Sequence, residues 1–385
     1  MTGYASASLT FVIARTSVAA VVAALSLVAS AQAGAPPVSA RAFLVVNPAS
    51  GEVLAQHGAW ARAPIASITK LMTVLVALDH ADWDDVVHVR ASAAAVGEST
   101  INLRAGERLT VGDLVKAALI QSANDAAVAL ADHVGKGDRE AFVELMNDKA
   151  EELGLERTHF VRPDGLDAAG HVSTARDVTT LAQAAMRVPQ IRDVVRRRTD
   201  SIAGGRRLYT WNDLLGQFGG LYGVKTGHTA AAGWCEVAAV RRYGVTLYTT
   251  VLGSPTRSQR NADLASLLRW GISRYRQVWV VQPGRVYVRA AVGYGKEAVP
   301  IVAERPLSKP VRVDKPLVER IVAPAALELP VERGQRVGEV RVYSGRRLVA
   351  RRPLVAGRSV ERPGLAGRIG FYTGNAVDHI GDWFT

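Results

Sequence analysis

Three short strings in this chain carry residues whose types and spacing suit one chemistry. In order they are Ser67-Ile68-Thr69-Lys70, Ser122-Ala123-Asn124 and Lys225-Thr226-Gly227. A serine hydroxyl is a weak nucleophile at neutral pH and needs a base within hydrogen-bond reach. Residues three apart on a helix share a face, so Ser67 Oγ and the Lys70 amine can meet there. Lysine acts as a base only when neutral, and burial or a second cation disfavours its charged form. Lys225 is the cation that the sequence offers. Ser122 suits the relay of a proton to a leaving amine, and Asn124 the binding of a peptide amide. Lys225 and Thr226 suit a carboxylate. Gly227 lets a backbone approach closely, and the backbone N–H groups of Ser67 and His228 are candidates for an oxyanion hole. The chemistry is acyl transfer through a serine ester. Each string is short, but a chance Lys-Thr-Gly is expected only about 0.04 times at this composition.

Such residues work only if regular elements hold them. Pro64-Ile65-Ala66 precedes Ser67, and Lys70 to Asp79 is apolar at helical spacing. Ser67 is therefore predicted at the first turn of a buried helix, where backbone N–H groups are unpaired. Val111 to Leu119, opened by Thr110, and Asp125 to Val134 read as helices, with Ser122-Ala123-Asn124 in the loop between them. Arg139 to Leu153, ended by Gly154, and Thr174 to Met186, capped by Ser173 or Thr174, read as two more. Leu221 to Lys225 reads as a strand that carries Lys-Thr-Gly, with Trp234 to Val240 and Val245 to Leu252 as antiparallel neighbours. Ala42 to Val46 and Glu52 to Gln56 form a predicted hairpin across a turn at Asn47-Pro48-Ala49-Ser50-Gly51. Asp263 to Tyr275 is a closing helix. The predicted fold class is α/β, an antiparallel sheet with a helical insertion between its first and last strands.

The 385 residues allow more than one domain. Residues 1–33 read as a secretory signal: Arg15 is the only charge before the apolar run Val18 to Ala29, and Ala31-Gln32-Ala33 is a small-x-small cleavage site. A membrane anchor is the competing reading, and the run is short for one. The single cysteine, Cys235, cannot form an intramolecular disulfide and reads as a buried small hydrophobe. The first domain is expected over 37–278. From Pro283 to Arg362 short Val/Arg/Tyr alternations, broken by Pro and Gly, predict a small β domain. It holds 17 Lys/Arg against 8 Asp/Glu, most of the net charge of +12. A basic domain outside the cytoplasm meets anionic lipid or wall polymer before nucleic acid. Over 363–385, Leu365, Ile369, Tyr372, Ala376, Ile380 and Phe384 make one apolar stripe at helical spacing. An amphipathic helix lying on a membrane surface is expected there, and a helix packed on the protein is the alternative. No phosphate-binding loop, His-Glu-x-x-His string or Cys/His cluster points to a cofactor or a metal.

The strings and their surroundings resemble one family, the low-molecular-mass penicillin-binding proteins, which are serine-type D-alanyl-D-alanine carboxypeptidases. The resemblance extends over Pro64 to Thr73, Gln121 to Ala127, Asp164-Gly165-Leu166, Ser173 to Asp177 and Lys225 to Thr229. It implies a β-lactamase/penicillin-binding-protein-like domain, a small β domain and a C-terminal amphipathic helix. It also implies removal of the terminal D-Ala from peptidoglycan pentapeptides through an acyl-enzyme on Ser67, with Lys70 as base and Ser122, Asn124 and Lys225 as further walls. β-Lactams would be acylating inhibitors, the outer face of the inner membrane the place of work, and nucleic acid no partner. Arg162 stands before Pro163-Asp164-Gly165-Leu166 where the family more often has Asn. Trp211 precedes Asn212-Asp213 where some members have a basic residue, so carboxylate binding would rest more on Lys225 and Thr226. Three other readings share parts of the pattern: a DD-endopeptidase of cross-links, a β-lactamase and a non-catalytic wall-binding protein. The β-lactamase reading lacks the Glu-x-x-Leu-Asn loop of the class A enzymes. The wall-binding reading has no reason to retain both Ser67 and Lys70.

Overall fold

The computed structural model describes residues 34–366 and residue 369. The expected signal over 1–33 and most of the C-terminal stripe lie outside the described residues. The chain divides into two units, Gly34–Ser273 and, among the described residues, Arg274 onward. No described helix is long and apolar enough to cross a membrane.

The first unit is built on a five-stranded antiparallel sheet. Its strands are β1 (Ala42–Asn47), β2 (Glu52–His57), β3 (Leu221–Thr229), β4 (Gly233–Arg242) and β5 (Val245–Ser254), in the order β2-β1-β5-β4-β3. All six residues of β1 are buried, because helices cover both faces of the sheet. The helices α1 (Lys70–His80), α2 (Val111–Lys116), α3 (Asn124–Val134), α4 (Arg139–Glu152) and α5 (Ala175–Ala185) lie between β2 and β3 in sequence; α5 packs on one face of the sheet, and the others pack beside it and on one another. Thr179 of α5 reaches Thr250 of β5, oxygen to oxygen, at 2.6 Å. The other face is covered by α6 (Arg257–Ser273). Gly271 lets α6 sit close, since a Cβ there would meet Leu247 at 2.8 Å and Val45 at 3.3 Å.

The elements predicted within the described residues of the first unit are present, with boundary differences that have local causes. Thr110 caps α2 by accepting from Asp113 N at 3.1 Å, and Thr174 caps α5 by accepting from Asp177 N at 3.0 Å. Each such cap contributes about 1 kcal/mol. The helix expected to run to Leu119 stops at Lys116 and continues as a wide π turn, Ala117–Gln121. The closing helix starts at Arg257, six residues before the expected Asp263, and ends at Ser273. Tyr275–Val281 is a strand paired with Leu307–Arg312, so the second unit starts ahead of Pro283. Two short hairpins, Val86–His88 with Arg108–Thr110 and Thr199–Ile202 with Arg206–Tyr209, had no periodicity long enough to read.

The second unit holds a six-stranded sheet and the two-stranded pair just described. Val340 and Val342 are buried, while Arg341 between them faces Glu339, which also pairs with Arg351. The alternation read from the sequence is that of a sheet with one covered face. Its buried core includes Val280, Ile301, Ile321 and Leu354.

Candidate active site

Ser67 stands in a 3-10 turn, Ala66–Thr69, that feeds directly into α1. Two glycine segments clamp this turn. A Cβ at Gly227 of β3 would lie 2.9 Å from Ile65 O and 3.0 Å from Ser67 N. A Cβ at Gly165, whose φ is +81°, would collide with Ala66 O. Ala66 itself holds a left-handed φ of 50°, a strained conformation for a residue with a Cβ. The backbone around the serine is therefore fixed by close approach from both sides.

Lys70 is wholly buried. Its Nζ lies 2.8 Å from Ser67 Oγ, 2.7 Å from Asn124 Oδ1 and 2.6 Å from Asp164 O. Burial lowers its pKa to about 7; the Asp164 charge opposes this and the Arg162 charge adds to it. The sequence pointed to Lys225 as the depressing cation. Burial, the other cause named from the sequence, is the larger one; the correction is that the cation acting on Lys70 is Arg162. Arg162, the departure noted above, forms a two-pronged pair with Asp164, Nε to Oδ1 at 2.6 Å and Nη2 to Oδ2 at 2.8 Å. Asp164 is buried, which pushes its carboxyl up, but Arg162 and the Leu166 amide hold it below the usual carboxylate value. The same loop accepts from Thr73 Oγ1 through Pro163 O at 2.5 Å.

His171 backs this loop. Val161 N donates to its Nδ1 at 3.0 Å, so Nε2 carries the proton and donates to Thr69 Oγ1 at 2.8 Å. Burial lowers its pKa to about 4, which keeps it neutral near pH 7.

The second wall comes from the π turn. Its distortion leaves Ser122 in a left-handed conformation, φ 63°, directly before α3. Lys225 Nζ of β3 donates to Ser122 Oγ at 2.8 Å and to Thr226 O at 2.9 Å. Lys225 is 2% exposed; burial and then the Lys70 charge hold its pKa well below the ordinary value. Asn124, expected only to bind a substrate amide, also fixes Lys70 through Oδ1 and donates through Nδ2 to Gly97 O at 3.1 Å. Its second Nδ2 proton remains for a substrate.

These residues open on a cleft of about 280 Å³ that Ser67, Ser122, Thr226, Gly227 and His228 line. The exposed His228 ring stacks on Trp234, centroids 4.0 Å apart. Glu98, Trp211 and Arg260 also line the cleft and were not singled out as site residues from the sequence. Arg260 is 1% exposed and sits between Asp213 (3.2 Å) and Glu236 (3.1 Å), beneath Trp234. Burial pushes the Glu236 carboxyl up to about 7. Arg260 adds a buried cation to the wall that the sequence assigned to Lys225 and Thr226. Its only sequence signal was an arginine in the first turn of a helix whose start was read too late. Cys235 is buried as expected, and burial raises its thiol to about 11.

The chain is similar to proteins of one family. The family model described as D-alanyl-D-alanine carboxypeptidase matches residues 29–256, and that of the penicillin-binding protein 5 C-terminal domain matches 275–362. The D-alanyl-D-alanine carboxypeptidase DacC of Escherichia coli K12 is 33% identical over 91% of this chain and 92% of its own. The crystal structure of DacD from Francisella tularensis aligns with a TM-score of 0.62 at 25% identity, covering 86% of this chain and 95% of that one. The Streptomyces K15 DD-transpeptidase aligns with a TM-score of 0.60 at 30% identity, covering 63% of this chain and all of that one. The fold is thus the mixed α/β penicillin-binding-protein fold with its C-terminal β domain. The chain belongs to the D-alanyl-D-alanine carboxypeptidase family and is a serine-type carboxypeptidase, a hydrolase.

Proposed function

We propose that this protein removes the terminal D-Ala from peptidoglycan pentapeptide stems through an acyl-enzyme on Ser67. The observation that carries the reading is the environment of Lys70. A neutral lysine has two N–H donors and one lone pair. Asn124 Oδ1 and Asp164 O take the two donors, and the lone pair is left for the Ser67 hydroxyl at 2.8 Å. Lys70 accepts the Ser67 proton as Oγ attacks the carbonyl of the penultimate D-Ala. The N–H groups of Ser67 and His228 receive the oxyanion. The proton that Lys70 took passes by way of Ser122, bonded to Lys225, to the leaving amine, so the C–N bond breaks, Ser122 keeps its hydroxyl and Lys70 is neutral again. Lys225, Thr226 and Arg260 hold the departing carboxylate. Water, activated by the same base, then hydrolyses the ester and restores Ser67. A β-lactam enters the same path and stops at the ester.

The test is the product formed from a purified pentapeptide. Free D-Ala in stoichiometric amount with tetrapeptide supports the reading. Cleavage of cross-linked dimers without D-Ala release from the monomer would make the protein an endopeptidase instead.

We also propose that the enzyme works outside the cytoplasm, peripheral on the outer face of the inner membrane. The support is the sequence pattern of residues 1–33 and the apolar stripe of 363–385. Arg368 is the only Lys or Arg in that stripe, so apolar burial outweighs attraction to anionic headgroups. Removing residues 364–385 is expected to move the protein into the soluble fraction, while high salt releases the full chain poorly. Equal partitioning of the two proteins would sink the membrane assignment.

A further inference from the structure

Glu98 is the one acidic side chain among the residues that line the cleft, which also include the buried cation Arg260. It is exposed, and its carboxylate has no hydrogen bond or ion pair among the described residues. Its backbone holds a left-handed φ of 64°, which costs free energy for a residue with a Cβ and persists only when neighbours impose it. They do. Gly97 O on one side accepts from Asn124 Nδ2 at 3.1 Å, and Ser99 O on the other accepts from Asn124 N at 2.6 Å. Ser99 Oγ donates to Gln121 O at 3.1 Å. The buried Asp125 carboxylate then accepts from Ile101 N and Leu103 N, which fixes the chain beyond. Glu98 is therefore held at a set position, between two residues tied to Asn124, the side chain expected to bind a substrate amide.

The sign of this charge runs against the rest of the site. Lys225, Thr226 and Arg260 suit the carboxylate of the leaving D-Ala. An anion lining the same cleft does not help that group; its charge acts on Lys70 and Arg162 without forming an ion pair with either, and it suits a substrate cation on the other side of the scissile bond. We propose that Glu98 reads an ammonium group on the side chain of the residue that precedes D-Ala-D-Ala, and so selects stems that carry a diamino acid with a free amine. This inference rests on the carboxypeptidase reading given above, and its test separates the two.

Two peptides serve as probes: Nα-acetyl-Lys-D-Ala-D-Ala with a free ε-amine, and the same peptide with that amine acetylated. The readout is the ratio of their kcat/KM values for D-Ala release. The wild type is expected to favour the free amine about fivefold, the scale of a partly exposed charge pair. Glu98→Gln should bring the ratio near one, and Glu98→Lys should invert it. The wild-type ratio should also fall as salt is raised, which a purely structural role for Glu98 would not produce. The ratio cancels any common effect of Glu98 on folding or on Lys70. D-Ala release at a ratio that Glu98→Gln leaves unchanged overturns the inference and leaves the carboxypeptidase reading intact. No D-Ala from either peptide or from the pentapeptide overturns the reading beneath it.

Discussion

Lys70→Ala is expected to slow acylation of Ser67 on the order of 10⁴-fold or more, close to the complete loss expected of Ser67→Ala, because a nucleophile and its base act as one unit. In the wild type the amine sits 2.8 Å from Ser67 Oγ, wholly buried, with two fixed oxygens taking its other donors. Alanine removes the acceptor for the serine proton and leaves Asn124 Oδ1 and Asp164 O without that donor. The second effect costs about 1–3 kcal/mol of stability, so the variant still folds. The measurement is the second-order rate of labelling by a fluorescent penicillin, read beside a thermal unfolding curve. The wild-type rate should also depend on pH. With a Lys70 pKa of about 7, the neutral base is scarce below neutrality. The rate should rise nearly tenfold per pH unit on the acid side and level off above about pH 7. A Lys70→Ala protein that acylates normally but cannot release product would move this lysine from acylation to deacylation. A flat profile across neutral pH would remove it as the base.

The sequence was most legible where chemistry and periodicity coincide. Ser67 and Lys70 could be paired because a helical repeat lay beneath them, and Lys225-Thr226-Gly227 because an alternating apolar run surrounded it. Gly227 could be read as a place of close approach, although the partner atoms, Ile65 O and Ser67 N, come from a segment 160 positions away in the chain. What could not be read depends on three-dimensional convergence without periodicity. The π turn that aims Ser122 has no pattern of its own, since Ala117 to Gln121 is as apolar as a plain helix. Arg260 belongs to the site through ion pairs with Asp213 and Glu236, which sit on other segments. Glu98 owes its place to an irregular loop and a left-handed backbone, which side-chain pattern does not report. Arg162 was visible only as a departure from the expected family pattern. The structure turns it into the partner of Asp164 and a cation that acts on Lys70.

That role makes Arg162→Gln the most informative substitution away from the reacting atoms. Asp164 is 1% exposed at its side chain, and Arg162 is its charge partner through two hydrogen bonds. Breaking a buried pair from one side strands the remaining charge, at a cost of 3–5 kcal/mol when both partners are buried. Arg162 is 35% exposed, so water replaces part of what is lost and about 2 kcal/mol is the expected loss of stability. The sign with pH follows from the direction of the shift. The pair holds the Asp164 pKa low, so its contribution is present above the unfolded-state carboxylate pKa and is lost as pH falls through the folded one. The stability difference between wild type and variant should therefore shrink in acid. Activity responds through Lys70. Loss of Arg162 removes a cation that lowers the Lys70 pKa and leaves the opposing Asp164 charge unneutralised. Both changes raise that pKa, so the acid limb of the acylation profile moves to higher pH. Labelling rates measured at pH 6 and pH 9 should show the larger deficit at pH 6, where the variant has less neutral lysine. A loss of the same factor at both pH values would mean that Arg162 acts on the loop's shape alone and has no influence on the base.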